Sequence, residues 1–119
     1  EPLCVKNGLG VIGYFSLGSG FLTGKYRSDK DREGRARGER IARYMTPRGF
    51  RILAALDEAA RRTRSTPAQA ALAWLIARPS VTAPIASATT LEQMDDLVAA
   101  ARLTLPDAVL EALSRASEA

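Results

Sequence analysis

The sequence contains no histidine and a single cysteine, Cys4, in 119 residues. The first absence removes the Ser-His-Asp and Cys-His nucleophilic arrangements and the commonest side-chain ligand of transition metals. A lone thiol closes no internal disulfide and builds no multi-thiolate centre, which fits a reducing compartment. Long apolar runs are also missing. The longest, residues 68–77, is interrupted by Gln69 and is far short of the roughly 20 residues that a bilayer helix needs. No charged-then-apolar secretory segment opens the chain, so the expectation is a cytoplasmic protein without a membrane partner. The first residue is Glu1 rather than methionine, and a piece of a longer protein or a processed product is expected.

What is present is a globular composition, 46% hydrophobic and 25% charged, with enough chain for one core. The net charge of +4 is unevenly spread. Residues 25–51 hold ten Lys or Arg against four Asp or Glu, so this stretch carries +6 and the remainder −2. An anionic partner is therefore to be sought there.

Residues 9–15, LGVIGYF, are short, β-branched and aromatic, and predict a buried strand. The Gly-rich SLGSGFLTGKY that follows predicts a functional loop, because a missing Cβ lets the backbone approach a ligand closely. Residues 27–48 show almost no apolar periodicity and predict a long surface loop. Helical spacing then returns through Ile52, Leu53, Leu56 and Ala60. Thr66, Pro67 and Gln69 combine an N-cap hydroxyl, a proline at the first helical position and a capping-box glutamine. They open a largely buried helix that Pro79 stops. Residues 81–86, VTAPIA, predict a second buried strand, with Pro84 tolerable near its end. Thr90 and Gln93 repeat the capping box before a helix with Met94, Leu97, Val98 and Ala101 on one face. Residues 104–116 predict a last helix with Val109, Leu110 and Leu113 inward. Long connections between the strands imply that they run parallel.

The segment GSGFLTGKY is neither a Walker A loop nor a dinucleotide G-x-G-x-x-G. A glycine turn at the carboxyl end of a parallel strand, with Lys25 at its far end, is still suited to an anion. The plain alternative is a turn that needs glycine for its geometry. The basic stretch lacks interleaved aromatics apart from Tyr26 and Tyr44, which argues against nucleic acid. The two helices around residues 52–62 and 67–77 mimic a helix-turn-helix, but the second offers only Gln69 to a base edge. Glu92, Asp95 and Asp96 lie near a helix N-terminus, where carboxylates are favoured without any metal.

Two segments taken together resemble the aldo-keto reductase family. Residues 10–26, GVIGYFSLGSGFLTGKY, resemble its seventh barrel strand and following loop. Residues 66–97, TPAQAALAWLIARPSVTAPIASATTLEQMDDL, are similar to its last barrel helix, eighth strand and cofactor-clasping helix. The resemblance implies an α/β fold, a partial (β/α)8 TIM barrel made of the last two strand–helix units plus a C-terminal helix. Residues 1–119 would form this part of one barrel domain, with a basic cofactor-covering loop at about 25–49. It also implies a nicotinamide cofactor, NADP(H) or alternatively NAD(H), and a small carbonyl substrate reduced by hydride transfer.

By position, the resemblance assigns Tyr14 to stacking on the nicotinamide. It assigns Ser16, Leu17, Ser19 and Gly20 to the pyrophosphate loop, Lys25 to added charge, and Arg35 to the loop over the cofactor. Ser87, Thr89, Gln93 and Asp96 match positions for the adenosine half and its 2′-phosphate. Thr89 replaces a common Arg or Lys, and Leu97 a frequent Asn. The family's Asp, Tyr, Lys and His tetrad lies in the first half of the barrel, so no catalytic and no metal residue is assigned here. The alternatives are a small basic helix-turn-helix DNA-binding regulator and a degenerate, non-catalytic half-barrel.

Overall fold

The computed structural model describes residues 1–34 and 38–118. Its elements are α1 (Pro2–Lys6), β1 (Val11–Gly13), a pair of 3₁₀ turns (Gly18–Thr23 and Asp29–Arg32), α2 (Gly38–Ala42), α3 (Pro47–Thr63), α4 (Pro67–Ile76), β2 (Val81–Pro84), α5 (Leu91–Arg102) and α6 (Asp107–Ser117). The two strands pair in parallel, with Val11 opposite Val81 and Gly13 opposite Pro84. Both strands therefore end on the same side, and the loops that follow them emerge together. Pro84 closes its strand, where its missing N–H breaks no ladder.

Helix α4 is the hub. It packs against α3, α5, β2 and the Gly18–Thr23 turn, and Ala70, Ala71, Leu72 and Ala73 are buried in succession. Its start is held by the full capping box. The Gln69 N–H donates to Thr66 Oγ1 (3.2 Å), and the Thr66 N–H donates back to Gln69 Oε1 (3.1 Å). Thr66→Ala is expected to lower stability by about 1 kcal/mol. A shift of the urea midpoint with an unchanged slope would check it.

The core joins the fully buried Leu53 and Ile41 to Phe21, Leu56, Val109 and Leu113. Helix α6 buries Val109 and Leu113 as its periodicity predicts, but starts at Asp107 because Pro106 holds the N-cap position. Several expectations change. The strand at residues 9–15 shrinks to Val11–Gly13 and is not buried, since Ile12 is 59% exposed. The second strand likewise leaves Thr82 and Ala83 exposed. A two-stranded sheet has two open edges, and layers on both faces are needed to bury a strand fully.

Helix α5 is turned from its predicted face. Asp96, Leu97 and Ala100 point toward α4, whereas Met94 and Val98 are exposed. Its predicted capping box is also half formed. Thr90 Oγ1 accepts from the Gln93 N–H (3.2 Å), but Gln93 Oε1 reaches past to Thr89. Finally, the segment at residues 27–48, read as a featureless surface loop, holds short helical turns, and it buries Ile41. Ile41 is one apolar residue among charges, a signal too isolated to show as periodicity.

At the other end of the sheet, Glu1 pairs with Arg78 and accepts from Ser80 Oγ (2.9 Å). The Arg78 hydrogen bond is the main reason that the Glu1 carboxyl sits below its ordinary pKa. No helix among the described residues is long and apolar enough to cross a membrane.

Candidate functional site

The loop after β1 is built around reversed backbone. Ser19 has φ +60° and Gly20 φ +102°, left-handed geometry that glycine adopts freely and serine at a cost. The Gly20 and Leu22 N–H groups both donate to the Leu17 carbonyl (3.0 and 3.1 Å), and Thr23 Oγ1 donates to the Gly20 carbonyl (2.7 Å). Ser16 is buried and donates to the Gly13 carbonyl (3.0 Å), tying the loop to the strand end. The Ser19 hydroxyl oxygen is buried without a hydrogen-bond partner among the described residues. An orphaned buried hydroxyl costs about 1–3 kcal/mol, so strain and desolvation meet at one residue.

Lys25 closes this turn. Its Nζ lies 3.8 Å from the position a Cβ would take on Gly20, and 5.2 Å from the centroid of the Tyr26 ring. Ser19, Gly20 and Lys25 are thus brought together. Tyr14 stands just before them at the strand end, 75% exposed, with its ring edge-on to Phe15 at 4.6 Å.

The loop after β2 carries the second group. Ser87 and Thr89 are exposed. Gln93 Oε1 accepts from both the Thr89 N–H (2.8 Å) and Thr89 Oγ1 (3.1 Å), which leaves the Gln93 amide NH₂ as a donor. Asp96 accepts from Gln69 Nε2 (2.8 Å), so Gln69 both caps α4 and fastens α5. The far end of the glycine loop meets the same helix start, where Pro67 Cγ lies 3.6 Å from a Cβ placed on Gly24. The two candidate segments therefore flank the N-terminus of α4. Arg35 lies outside the described residues.

Sequence reasoning missed three supports. Arg27 forks onto Asp57 of α3 through two bonds (2.9 and 2.8 Å) and caps the Gly24 carbonyl with Nε (2.6 Å). Nothing in sequence marks a pair 30 residues apart. Arg48 and Arg51 bond the carbonyls that end α6, among them Ser117, Ala116 and Glu118, where cations complement the helix dipole. Three cations of the basic stretch thus hold the fold together. Phe21, buried beneath the glycine turn, is the third support.

The family model described as "Aldo/keto reductase family" matches residues 1–118. The chain belongs to the aldo/keto reductase family. Relatives include aldo-keto reductase yakc [NADP(+)] of Schizosaccharomyces pombe, 28% identical over 97% of this chain and 35% of that protein. Protein tas of Escherichia coli is 35% identical over 87% of the chain and 30% of its own length. L-glyceraldehyde 3-phosphate reductase of Escherichia coli O157:H7 is 33% identical over 80% of the chain and 29% of its own length. The chain spans about a third of the length of these relatives. The resemblance carried by residues 10–26 and 66–97 therefore holds at the level of family. The parallel strand pair with intervening helices is the arrangement a part of an aldo/keto reductase barrel would have.

Proposed function

We propose that this chain supplies the last two strand–helix units and the C-terminal helix of an aldo/keto reductase (β/α)8 barrel, and with them much of a nicotinamide-dinucleotide site. Residues 1–119 are read as one part of that barrel domain. The observation that carries the reading is the turn at Ser19–Gly20. There a strained backbone, an orphaned hydroxyl and the Lys25 ammonium converge at the carboxyl end of a parallel strand, the side on which such folds bind ligands.

These residues fit a dinucleotide. Ser19 Oγ and the Lys25 ammonium suit the pyrophosphate, with the Ser16–Leu17 segment holding the loop in place. The exposed Tyr14 ring offers a flat face for the nicotinamide. The free amide NH₂ of Gln93, with Ser87 and Thr89 beside it, offers neutral donors to the adenosine end. Asp96, an acceptor already fixed by Gln69, suits a hydroxyl or an amine and not a phosphate. The described adenosine-end residues bring no cation, so discrimination for NADP(H) over NAD(H) rests on the basic loop at about 25–49, which includes Arg35. When bound, the cofactor supplies a hydride to the carbon of an aldehyde or ketone while a proton reaches the carbonyl oxygen. This chain's part is to bind and orient the cofactor. The proton donor belongs to the preceding part of the barrel, so the chain alone is expected to turn over no substrate.

The test is titration of NADPH against the chain, followed by nicotinamide fluorescence. A saturable change is expected. Gly20→Val should weaken it at least tenfold, because a branched side chain at φ +102° disturbs the turn and meets Lys25. Salt-dependent binding to duplex DNA without any NADPH response would sink the proposal in favour of a nucleic-acid regulator.

A further inference from the structure

Beside the glycine turn lies an apolar cavity. It encloses about 410 Å3, within the roughly 300–1,000 Å3 typical of small-molecule sites. Its walls are apolar and come from four elements, with Phe21, Ile52, Trp74, Leu75 and Leu113 among them. Tyr14, Ser19 and Lys25 do not line it, whereas Ser16 does, so it borders the proposed dinucleotide loop without including its charged and stacking groups. The indole Nε1 of Trp74 is already satisfied by Ser114 Oγ (3.1 Å), which leaves the ring as apolar wall.

Positive charge stands at the mouth of this cavity. Arg43 is exposed and lines it, with its guanidinium 4.7 Å from the Tyr44 ring centroid and 5.8 Å from that of Phe15. A single nitrogen, Nη2, donates to the Tyr44 hydroxyl (2.8 Å). No carboxylate among the described residues pairs with it. A planar cation held by two rings, with its remaining N–H groups uncommitted, is preorganised for a bidentate anion. Arg48, also lining, adds a second positive charge, although its own bonds go to the Ser117 carbonyl.

From this arrangement we infer that the cavity binds a free amphipathic carboxylate, its alkyl or aryl body on the apolar walls and its carboxylate on Arg43. The inference requires no redox chemistry, although Arg43 and Arg48 belong to the basic loop at about 25–49 that the cofactor reading also uses. Because Phe15, Ser16 and Gly18 of the glycine turn also line the cavity, its occupant touches the same loop at residues other than Lys25.

Trp74 is the only tryptophan, so its emission reports the cavity directly. Titration with hexanoate, octanoate and decanoate is expected to give saturable changes, each added methylene tightening binding by about fourfold until the walls are filled. Octan-1-ol should bind more weakly and octylammonium weakest. Arg43→Gln, an exposed change that leaves the core intact, should cost octanoate about tenfold and octan-1-ol nothing. Equal binding of octanoate and octylammonium, or an unchanged octanoate affinity in Arg43→Gln, overturns the inference. So does a Trp74 signal that depends on protein concentration alone, which would assign the groove to a second copy of the chain. A longer protein in which Trp74 is already shielded and responds to no carboxylate overturns it too. NADPH titrated in parallel fails or succeeds separately, which keeps the two readings apart.

Discussion

Phe21→Ala is expected to remove about 3–5 kcal/mol of stability and, in the same stroke, to dislodge the glycine turn. Phe21 is 2% exposed. Its ring stacks near Tyr44 with centroids 5.9 Å apart and meets Phe50 edge-on at 6.3 Å. Its carbonyl accepts the Gly24 N–H (3.1 Å) that closes the turn. The residue therefore belongs to two structures, the core and the loop. Against the 5–15 kcal/mol typical of a domain, such a loss is a large fraction of the whole. The measurement is a urea transition, with the midpoint falling at constant slope. NADPH titration under conditions where the variant is still folded should show at least tenfold weaker binding. Phe21→Leu refills most of the space and should cost under about 1.5 kcal/mol. A loss below 1 kcal/mol for the alanine variant would mean that the turn is not anchored in the core.

What could be read in advance divides along the range of the interactions. Thr66 with Gln69, and the Val109 and Leu113 stripe of α6, are local patterns spanning three or four residues, and they appear where the chain announces them. Parallel pairing followed from the length of the connection alone. The same is true of the candidate site at its first segment, where glycine spacing and Lys25 marked a turn that does bring Ser19, Gly20 and Lys25 together. Long-range choices were silent. Which face α5 buries depends on α4, and a heptad-like count of Met94, Leu97, Val98 and Ala101 cannot tell that Gln69 will hold Asp96. The Arg27–Asp57 fork, with both partners about half exposed, contributes at most about 1 kcal/mol. It ties the start of the basic loop to α3.

The charge distribution is reinterpreted by the same contacts. A +6 stretch in sequence looks like one surface aimed at one anion. In the fold Arg27 faces Asp57, while Arg48 and Arg51 cap the end of α6. Lys25 and Arg43 stand apart, one beside Gly20 and one over the aromatic rings at the cavity mouth. Chain proximity therefore conflated structural cations with those free to meet a ligand, and only the partners of each separate them.

Gly49→Ala is expected to destabilise the protein, against the sign that helix propensity gives. Gly49 is the third residue of α3, and its N–H donates to the N-cap Thr46 Oγ1 (3.1 Å). On propensity alone, alanine would gain up to about 1 kcal/mol in a helix. Here the added Cβ would strike the Tyr44 carbonyl oxygen and would come within 3.2 Å of Phe21 Cε1. The struck atom is backbone and already accepts the Thr46 N–H (2.8 Å), so it cannot swing aside without breaking the turn that starts the helix. Overpacking of this kind costs about 1–3 kcal/mol. The expected net result is a urea midpoint lower than that of the parent, with a slope unchanged. A second consequence follows from position. Tyr44 stacks on Phe21 and hydrogen-bonds Arg43, so a displaced turn should also weaken octanoate binding at the Trp74 cavity. If Gly49→Ala were to raise stability, the close approach of the 44–46 turn to α3 would be refuted, and with it the geometry assigned to the mouth of that cavity.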